Sequence, residues 1–449
     1  MGKTESGFLD GKREAGSGKR FFGQQTEFLA GKRVSLFGYG LTTKAIAKRY
    51  GPFTFYDDNV HKPFVDAEGN RVRPSADFDP RYSDIEIPSP GIPPSHPLIR
   101  KANNLVSEYD LFLAPSPHHP ITPSPHHPIT PSPHHPFTVW ITGTNGKTTT
   151  TQMITHLLAD KGALSGGNIG TPLADLDPEA PLWILETSSF ALHYTQNAKP
   201  DIYLVLPVTP DHISWHGGED AYIADKLSPL PRMREGEAVI LPAAFADAPT
   251  HGFKIPYDTT KDLAACFGIE TAKIRFEGAF LFDAVMAMAV DKMLYDRLDY
   301  DRINAFELDP HRQEELHDAR GRLWVNDTKA TNIDAALAAL ERYGDRPVHL
   351  IVGGDDKGVD LVPLFDALKH YDITLYTVGT NAERLDVLSE KYGFPFRHCE
   401  TVENAVDAIS RVHTKESVAL LSPAAASLDQ FPSYAARGEA FKKAVRALS

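Results

Sequence analysis

The sequence predicts an α/β protein of three domains: a Rossmann-like N-terminal domain, a central domain with a mostly parallel sheet of P-loop type, and a Rossmann-like C-terminal domain. Three observations predict it. The chain has 449 residues, about three times the ~150 of an average domain. Short apolar runs alternate with helical patterns, as strands buried in a parallel sheet do. Glycine-rich polar clusters stand directly after several of those runs, where an open parallel sheet gathers its functional groups.

Residues 1–33 read as a disordered extension. Phe28-Leu29-Ala30-Gly31-Lys32-Arg33 nearly repeats Phe8-Leu9-Asp10-Gly11-Lys12-Arg13, and the Gly-, Ser- and Lys-rich stretch between them buries little. Val34-Ser35-Leu36-Phe37 then reads as a strand, Gly38-Tyr39-Gly40-Leu41-Thr42 as a turn, Lys44–Tyr50 as a helix and Phe53–Tyr56 as a second strand ending at Asp57-Asp58. A strand, a glycine turn, a helix and a strand ending in acid cradle a nucleotide in many folds, but the third glycine of the full fingerprint is absent here. An ordinary tight turn fits these residues equally well.

This first domain is expected over 34–114, followed by a linker over 115–138. There Pro-Ser-Pro-His-His-Pro-Ile-Thr occurs at 115 and 123, and at 131 with Phe137 in place of Ile. Proline at this density excludes helix and favours an extended spacer of roughly 70 Å. The His-His pairs also offer ligands for a transition metal. A central domain over 139–305 takes its strands from Val139–Thr142, Leu182–Leu185, Ile202–Leu206 and Ala238–Leu241. A third over 306–449 takes them from Leu323–Val325, Val348–Val352, Thr374–Val378 and Val418–Leu421, with a helix at Ile333–Tyr343.

Composition bounds the function. The hydrophobic share of 42% and charged share of 23% suit a globular chain. With 46 basic against 59 acidic residues, the net charge of −13 argues against nucleic acid as the main partner. No apolar run reaches membrane-spanning length, the N-terminus has no secretory pattern, and Cys266 and Cys399 are the only cysteines. A cytoplasmic enzyme is the expectation.

The strongest motif is Gly143-Thr144-Asn145-Gly146-Lys147-Thr148-Thr149, set between a β-branched strand and a helix. Main-chain N–H groups of such a turn bind phosphate oxygens, Lys147 adds charge, and the Thr148 hydroxyl can ligate Mg²⁺. The spacing is two residues shorter than the common phosphate loop, and an ATP site is predicted. Glu186 ends the next strand, and Asp211-His212 follow another, so both are expected to face this loop. Glu186 suits Mg²⁺ well; His212 is either a less usual ligand or a turn histidine. Lys226 reads as an ordinary lysine from composition. Three more clusters follow C-terminal strands: Arg312 with Asn326–Asn332, Gly353–Gly358 with Lys357, and Ser422–Phe431. Arg312 suits a phosphate and Lys357 a carboxylate.

In combination these motifs resemble the Mur ligase superfamily. Gly167-Asn168-Ile169-Gly170, Asn326–Asn332 and Ser427-Leu428-Asp429-Gln430-Phe431 resemble its D-glutamate-adding members. The resemblance runs from about Val34 to the end, excluding the Pro-His repeat. It implies an ADP-forming ligase that uses ATP and two Mg²⁺ ions to join D-glutamate to UDP-N-acetylmuramoyl-L-alanine through an acyl phosphate, in peptidoglycan precursor synthesis, and a monomer.

By the same resemblance, Leu41, Thr42, Asp57, Ser89 and Gly91 contact the uridine nucleotide, and Asn168 and Ser188 the muramoyl-alanine part. Residues 143–149, Arg312 and Asp327 serve ATP. Thr148, Glu186, His212 and a carbamylated Lys226 hold metal, with Lys147, His212 and Lys226 as the catalytic set. Thr331, Lys357, Ser427, Leu428 and Tyr434 bind D-glutamate, Tyr434 standing where the family usually has Phe. The family's adenine-binding His-Asn-x-x-Asn reads here as Ala279-Phe280-Leu281-Phe282-Asp283. Two rivals share the phosphate loop: a folylpolyglutamate synthetase-like ligase, which has no use for the first domain, and a P-loop kinase or ATPase, which leaves the third unexplained.

Overall fold

The computed structural model describes residues 27–114, 136–168, 170–356 and 358–448, without the Ser214 side chain. The Pro-His-His repeats, Lys357, Ile169 and most of the N-terminal extension therefore lie outside the described residues. Three sheets order the rest. The first comprises β1 (Val34–Phe37), β2 (Thr54–Asp57), β3 (Phe64–Val65), β4 (Arg71–Pro74) and β5 (Ile85–Pro88), in the order β3-β4-β2-β1-β5. The second comprises β6 (Phe137–Thr142), β7 (Ala163–Gly167), β8 (Leu182–Glu186), β9 (Ile202–Val205), β10 (Ala238–Pro242) and β11 (Phe253–Tyr257), all parallel, in the order β11-β10-β9-β6-β8-β7. The third comprises β12 (Glu314–His317), β13 (Leu323–Asn326), β14 (Val348–Val352), β15 (Ile373–Val378), β16 (Phe396–Glu400) and β17 (Val418–Leu421). Its order is β12-β13-β17-β14-β15-β16, with only β12 antiparallel.

The first two sheets form one compact unit and residues 307–448, with Glu277–Ala279, the other. Three domains were expected; the first two share a core. Leu36, Ile46, Phe55 and Phe112 belong to the same buried apolar cluster as Trp140, Leu173, Trp183 and Tyr203. In the second unit, Leu350, Leu375 and Leu420 belong to one cluster, whereas Ile351, Tyr376 and Leu421 belong to another, as the alternation of a strand requires.

Strand β6 begins at Phe137, inside the stretch read as linker, because Phe137 pairs with Leu182 and Thr138 N–H donates to Asp201 at 2.7 Å. Its six residues are all buried, consistent with its central place. Sequence reading missed β3, β4, β5, β7, β11, β12 and β16. All but the two-residue β3 carry charge, Pro or Gly within them, and all but β4 are edge strands, where the apolar pattern weakens. The apolar pattern after the phosphate-loop motif predicts a helix over Gln152–Leu158; the structure has it over Lys147–Leu157, starting inside the motif.

Candidate active site

Strand β6 lies between β8 and β9, and the chain goes on to β7 on one side and β10 and β11 on the other. Such a reversal opens a crevice at the carboxyl ends of the strands. Into it run Gly143–Gly146 from β6, Glu186 from β8 and Pro207–His212 after β9. The turn after β6 needs its glycines. Gly143 has φ +142°, and a Cβ there would stand 2.5 Å from Leu206 Cβ; Gly146 has φ +82°, and its Cβ would stand 2.6 Å from Asp283 Oδ1. Asp283 is buried and accepts a hydrogen bond from Thr150 Oγ1 at 2.9 Å. The residue at the place of the final asparagine in the resembling motif thus bonds the helix that follows the phosphate loop and lies close against Gly146.

Two lysines converge on one carbonyl. Lys147 Nζ donates to Gly143 O at 3.0 Å and to Thr144 O at 2.8 Å, and Lys226 Nζ donates to the same Gly143 O at 2.7 Å. Lys226 is 1% exposed, with its ammonium 4.6 Å from the centre of the Tyr222 ring. Burial holds its pKa well below the ordinary lysine value, the Lys147 charge lowers it further, and Asp211 and Asp225 only partly oppose this. A lysine there can present a neutral amine.

The end of the neighbouring strand β8 carries a carboxylate with two donors. Thr148 Oγ1 donates to Glu186 Oε2 and Asn168 Nδ2 to Glu186 Oε1, each at 2.8 Å. Gly167 keeps this close, since a Cβ there would run into Glu186 O. Thr149, by contrast, is buried, so Thr148 is the threonine that offers a hydroxyl to the strand end. Hard oxygens of this kind suit Mg²⁺. His212 adopts φ +52°, its main-chain N–H donating to Asp211 Oδ1 at 2.8 Å and its ring lying 4.7 Å from that of Phe190. Ser188 caps the helix Ser189–Tyr194, its oxygen accepting from Ala191 N–H at 3.1 Å.

In the first sheet, Asp57 accepts from Tyr39 N–H at 2.7 Å, Leu41 is exposed at the start of the helix Leu41–Tyr50, and Thr42 follows it. Ser89 N–H donates to Phe37 O at 2.8 Å, so the turns after β1 and β5 lie side by side. The loop through Gly91 is clamped to the second sheet: Trp215 Nε1 donates to Gly91 O at 3.1 Å and the Tyr194 hydroxyl to Ile92 O at 2.5 Å.

The curated relatives decide the family. A UDP-N-acetylmuramoylalanine–D-glutamate ligase of Campylobacter jejuni is 53% identical over 417 residues, covering 92% of this chain and 99% of its own. The chain belongs to the Mur ligase family. Its residues 141–254 match the Mur ligase middle domain. A ligase of the same name from Helicobacter pylori is 43% identical over 91% of this chain and 98% of its own. A UDP-N-acetylmuramoyl-L-alanine–L-glutamate ligase of Micromonospora is 31% identical over 81% and 82%. The fold is that of MurF ligase from Thermotoga maritima, solved in complex with ADP, at a TM-score of 0.54 and 14% identity over 92% of this chain and 97% of that one.

In the second unit of this Mur ligase, Asp327 directly follows β13. It accepts from Ser422 Oγ at 2.8 Å and Gln313 N–H at 3.2 Å, and burial raises its pKa to about 7 against the opposing effects of those bonds and of Arg312. Arg312 keeps its Nε buried without a hydrogen-bond partner. Ser427 is buried, whereas Thr331, Leu428 and Tyr434 are exposed.

Sequence reading missed the residue that joins these loops. Arg437, 2% exposed, donates to Thr328 Oγ1 at 2.8 Å, Thr328 O at 2.9 Å, Ala425 O at 3.0 Å and Ala426 O at 3.3 Å. An arginine in an amphipathic C-terminal helix carries no local signal of that task. Gly354, whose Cβ would strike Ala426 O, brings the Gly353–Gly358 cluster against the same loop through the Asp355–Ala426 bridge. Among the described residues of the first unit, it also missed His193, His216 and Asp225, which cluster beside Lys226.

Proposed function

We propose that this Mur ligase uses ATP to join D-glutamate to UDP-N-acetylmuramoyl-L-alanine, releasing ADP and phosphate, as a cytoplasmic monomer in peptidoglycan precursor synthesis. One observation carries the reading: Thr148 and Asn168 donate to the Glu186 carboxylate at the end of β8, and at the end of the neighbouring β6 Lys147 and Lys226 converge on Gly143 O. That pairing suits two anions that must meet, a carboxylate and a triphosphate. Near-complete coverage of relatives bearing the D-glutamate name supports the substrate choice.

The chain's own residues supply the following. Gly143–Thr149 and Lys147 hold the phosphates, and Lys147 neutralises charge as the alanine carboxylate attacks the γ-phosphorus. The amine of D-glutamate then attacks the acyl phosphate carbon and phosphate leaves. Leu41, Thr42, Asp57, Ser89 and Gly91 hold the uridine end, and Asn168 and Ser188 the muramoyl-alanine end. Arg312 and Asp327 serve ATP, and Thr331, Lys357, Ser427, Leu428 and Tyr434 the incoming amino acid. Thr148, Glu186, His212 and Lys226 would hold two Mg²⁺ ions, which supply charge neutralisation to the phosphates. Lys226 suits that task only once its neutral amine adds to CO₂ and sheds a proton, turning a buried cation into a carbamate anion.

Phosphate release from ATP tests the reading, measured with Mg²⁺ and UDP-N-acetylmuramoyl-L-alanine and with D-glutamate, L-glutamate, D-alanine or L-lysine in turn. Release that needs both the UDP-sugar and D-glutamate is expected. A preference for L-glutamate would move the chain towards its Micromonospora relative, and release indifferent to the amino acid would leave an ATPase.

A further inference from the structure

The helices Ser189–Tyr194, Ile213–His216 and Glu219–Leu227 each carry a proposed site residue at or beside an end: Ser188, His212 and Lys226. A chain of hydrogen bonds ties the three together. His216 Nδ1 lies 2.7 Å from Asp225 Oδ2, and His216 Nε2 lies 3.0 Å from Ser189 Oγ. His193 Nδ1 joins the same carboxylate at 3.0 Å. The His216 side chain is fully buried, so water does not compete for these bonds. Its ring stacks on Phe190 at 5.6 Å with 14° between planes, and Phe190 meets the His212 ring edge-on.

The proton arrangement follows from chemistry. An ionised carboxylate only accepts, so both imidazoles present Nδ1–H to Asp225. His216 Nε2 is then an acceptor, and the Ser189 hydroxyl donates to it. The three candidate donor atoms lie within 4.8 Å of one another, near enough for a transition metal. The 2.7 Å contact, however, is shorter than the ~3.3 Å edge of a tetrahedral site with ~2.0 Å bonds, and fits a shared proton better.

We infer that His216 is a positioning residue, which through Ser189 and Asp225 holds the segments of Ser188, His212 and Lys226 in the register that metal binding needs. This rests on the ligase reading above. Partners behind metal ligands commonly govern metal affinity by tenfold or more. Asp225 and Lys226 are consecutive, so a displaced Asp225 carries the lysine away from Gly143 O.

The test measures phosphate release by the full chain against Mg²⁺ concentration and, separately, against D-glutamate. His216→Gln loses the bond to Asp225; the Mg²⁺ needed for half-maximal rate should rise about tenfold, with the KM for D-glutamate within about twofold of wild type. His216→Asn keeps a donor near Nδ1 and should restore most of the loss, and Ser189→Ala should move the same quantity less. If His216→Gln fails to fold, Ser189→Ala and His193→Phe carry the test. An unchanged Mg²⁺ requirement in folded variants overturns the inference, as does zinc that co-purifies in stoichiometric amount and is lost in His193→Ala. Should the wild type release no phosphate, the ligase reading fails on its own. Imidazole ¹⁵N spectra then still decide the network, since His216 protonated at Nε2 contradicts it.

Discussion

Lys226 in the first unit and Arg437 in the second each bond loops that follow the carboxyl ends of parallel strands, and both are almost wholly buried. Their surroundings differ in kind. Arg437 has four hydrogen bonds to oxygens of two loops, and burial lowers its pKa only to about 10, with Asp429 opposing. Lys226 meets one carbonyl, which it shares with Lys147, and burial and the Lys147 charge hold its pKa well below the ordinary lysine value. A planar cation that keeps its proton suits fastening loops, whereas a compact one that gives it up suits chemistry. The contrast separates a structural buried cation from a reactive one, on grounds of partners rather than burial.

Four measurements break or sharpen that contrast. The largest effect is expected at Lys226. Lys226→Met should cut phosphate release by roughly a thousandfold, while the melting temperature stays level or rises, because a poorly solvated cation is removed. Activity within tenfold of wild type would place Lys226 with the structural cations. Next, Arg437→Met should lower the free energy of unfolding by about 3 kcal/mol or more, read from the urea midpoint, since it strands buried carbonyls. Arg437→Lys should recover only a fraction, because an ammonium cannot span both loops.

The third concerns Asp327, the buried acid beside the same loops. Its carboxyl titrates near 7 when folded and near 3.8 when unfolded, so the folded state holds an extra proton between those values. Stability contributed by that proton is full at low pH and is lost as pH rises from about 4 to about 7, at no more than about 1.4 kcal/mol per pH unit. Asp327→Asn should flatten that stretch of the melting-temperature profile, and an unaltered profile would assign the slope elsewhere. The smallest effect is a hydrogen bond without charge: Trp215→Phe keeps the ring and loses the bond to Gly91 O, expected to cost about 1 kcal/mol. A loss as large as that of Arg437→Met would mean that the aromatic clamp, not the buried arginine, dominates.

Legibility followed chemistry that is local in sequence. The turn at 143–149 declared itself because phosphate-binding geometry needs glycine, lysine and threonine in succession between a strand and a helix. Glu186 followed from standing at a strand end, and in the structure its carboxylate accepts from Thr148 Oγ1. Lys226 was reachable only through family resemblance, since nothing in Tyr222–Leu227 marks a lysine that will be 1% exposed. Arg437 and the Ser189–His216–Asp225 chain were not legible at all. Their partners lie 11 to 109 and 9 to 27 residues away along the sequence.

By itself, the sequence determined the α/β class, the positions of the buried central strands and the phosphate loop, because strand burial and a phosphate turn are written in adjacent residues. Tertiary structure decided that the first two sheets share one core, that two lysines meet on Gly143 O, and that one arginine fastens two loops. Those facts depend on which distant groups burial brings together, and a shifted pKa or a satisfied carbonyl exists only once water has been excluded around them.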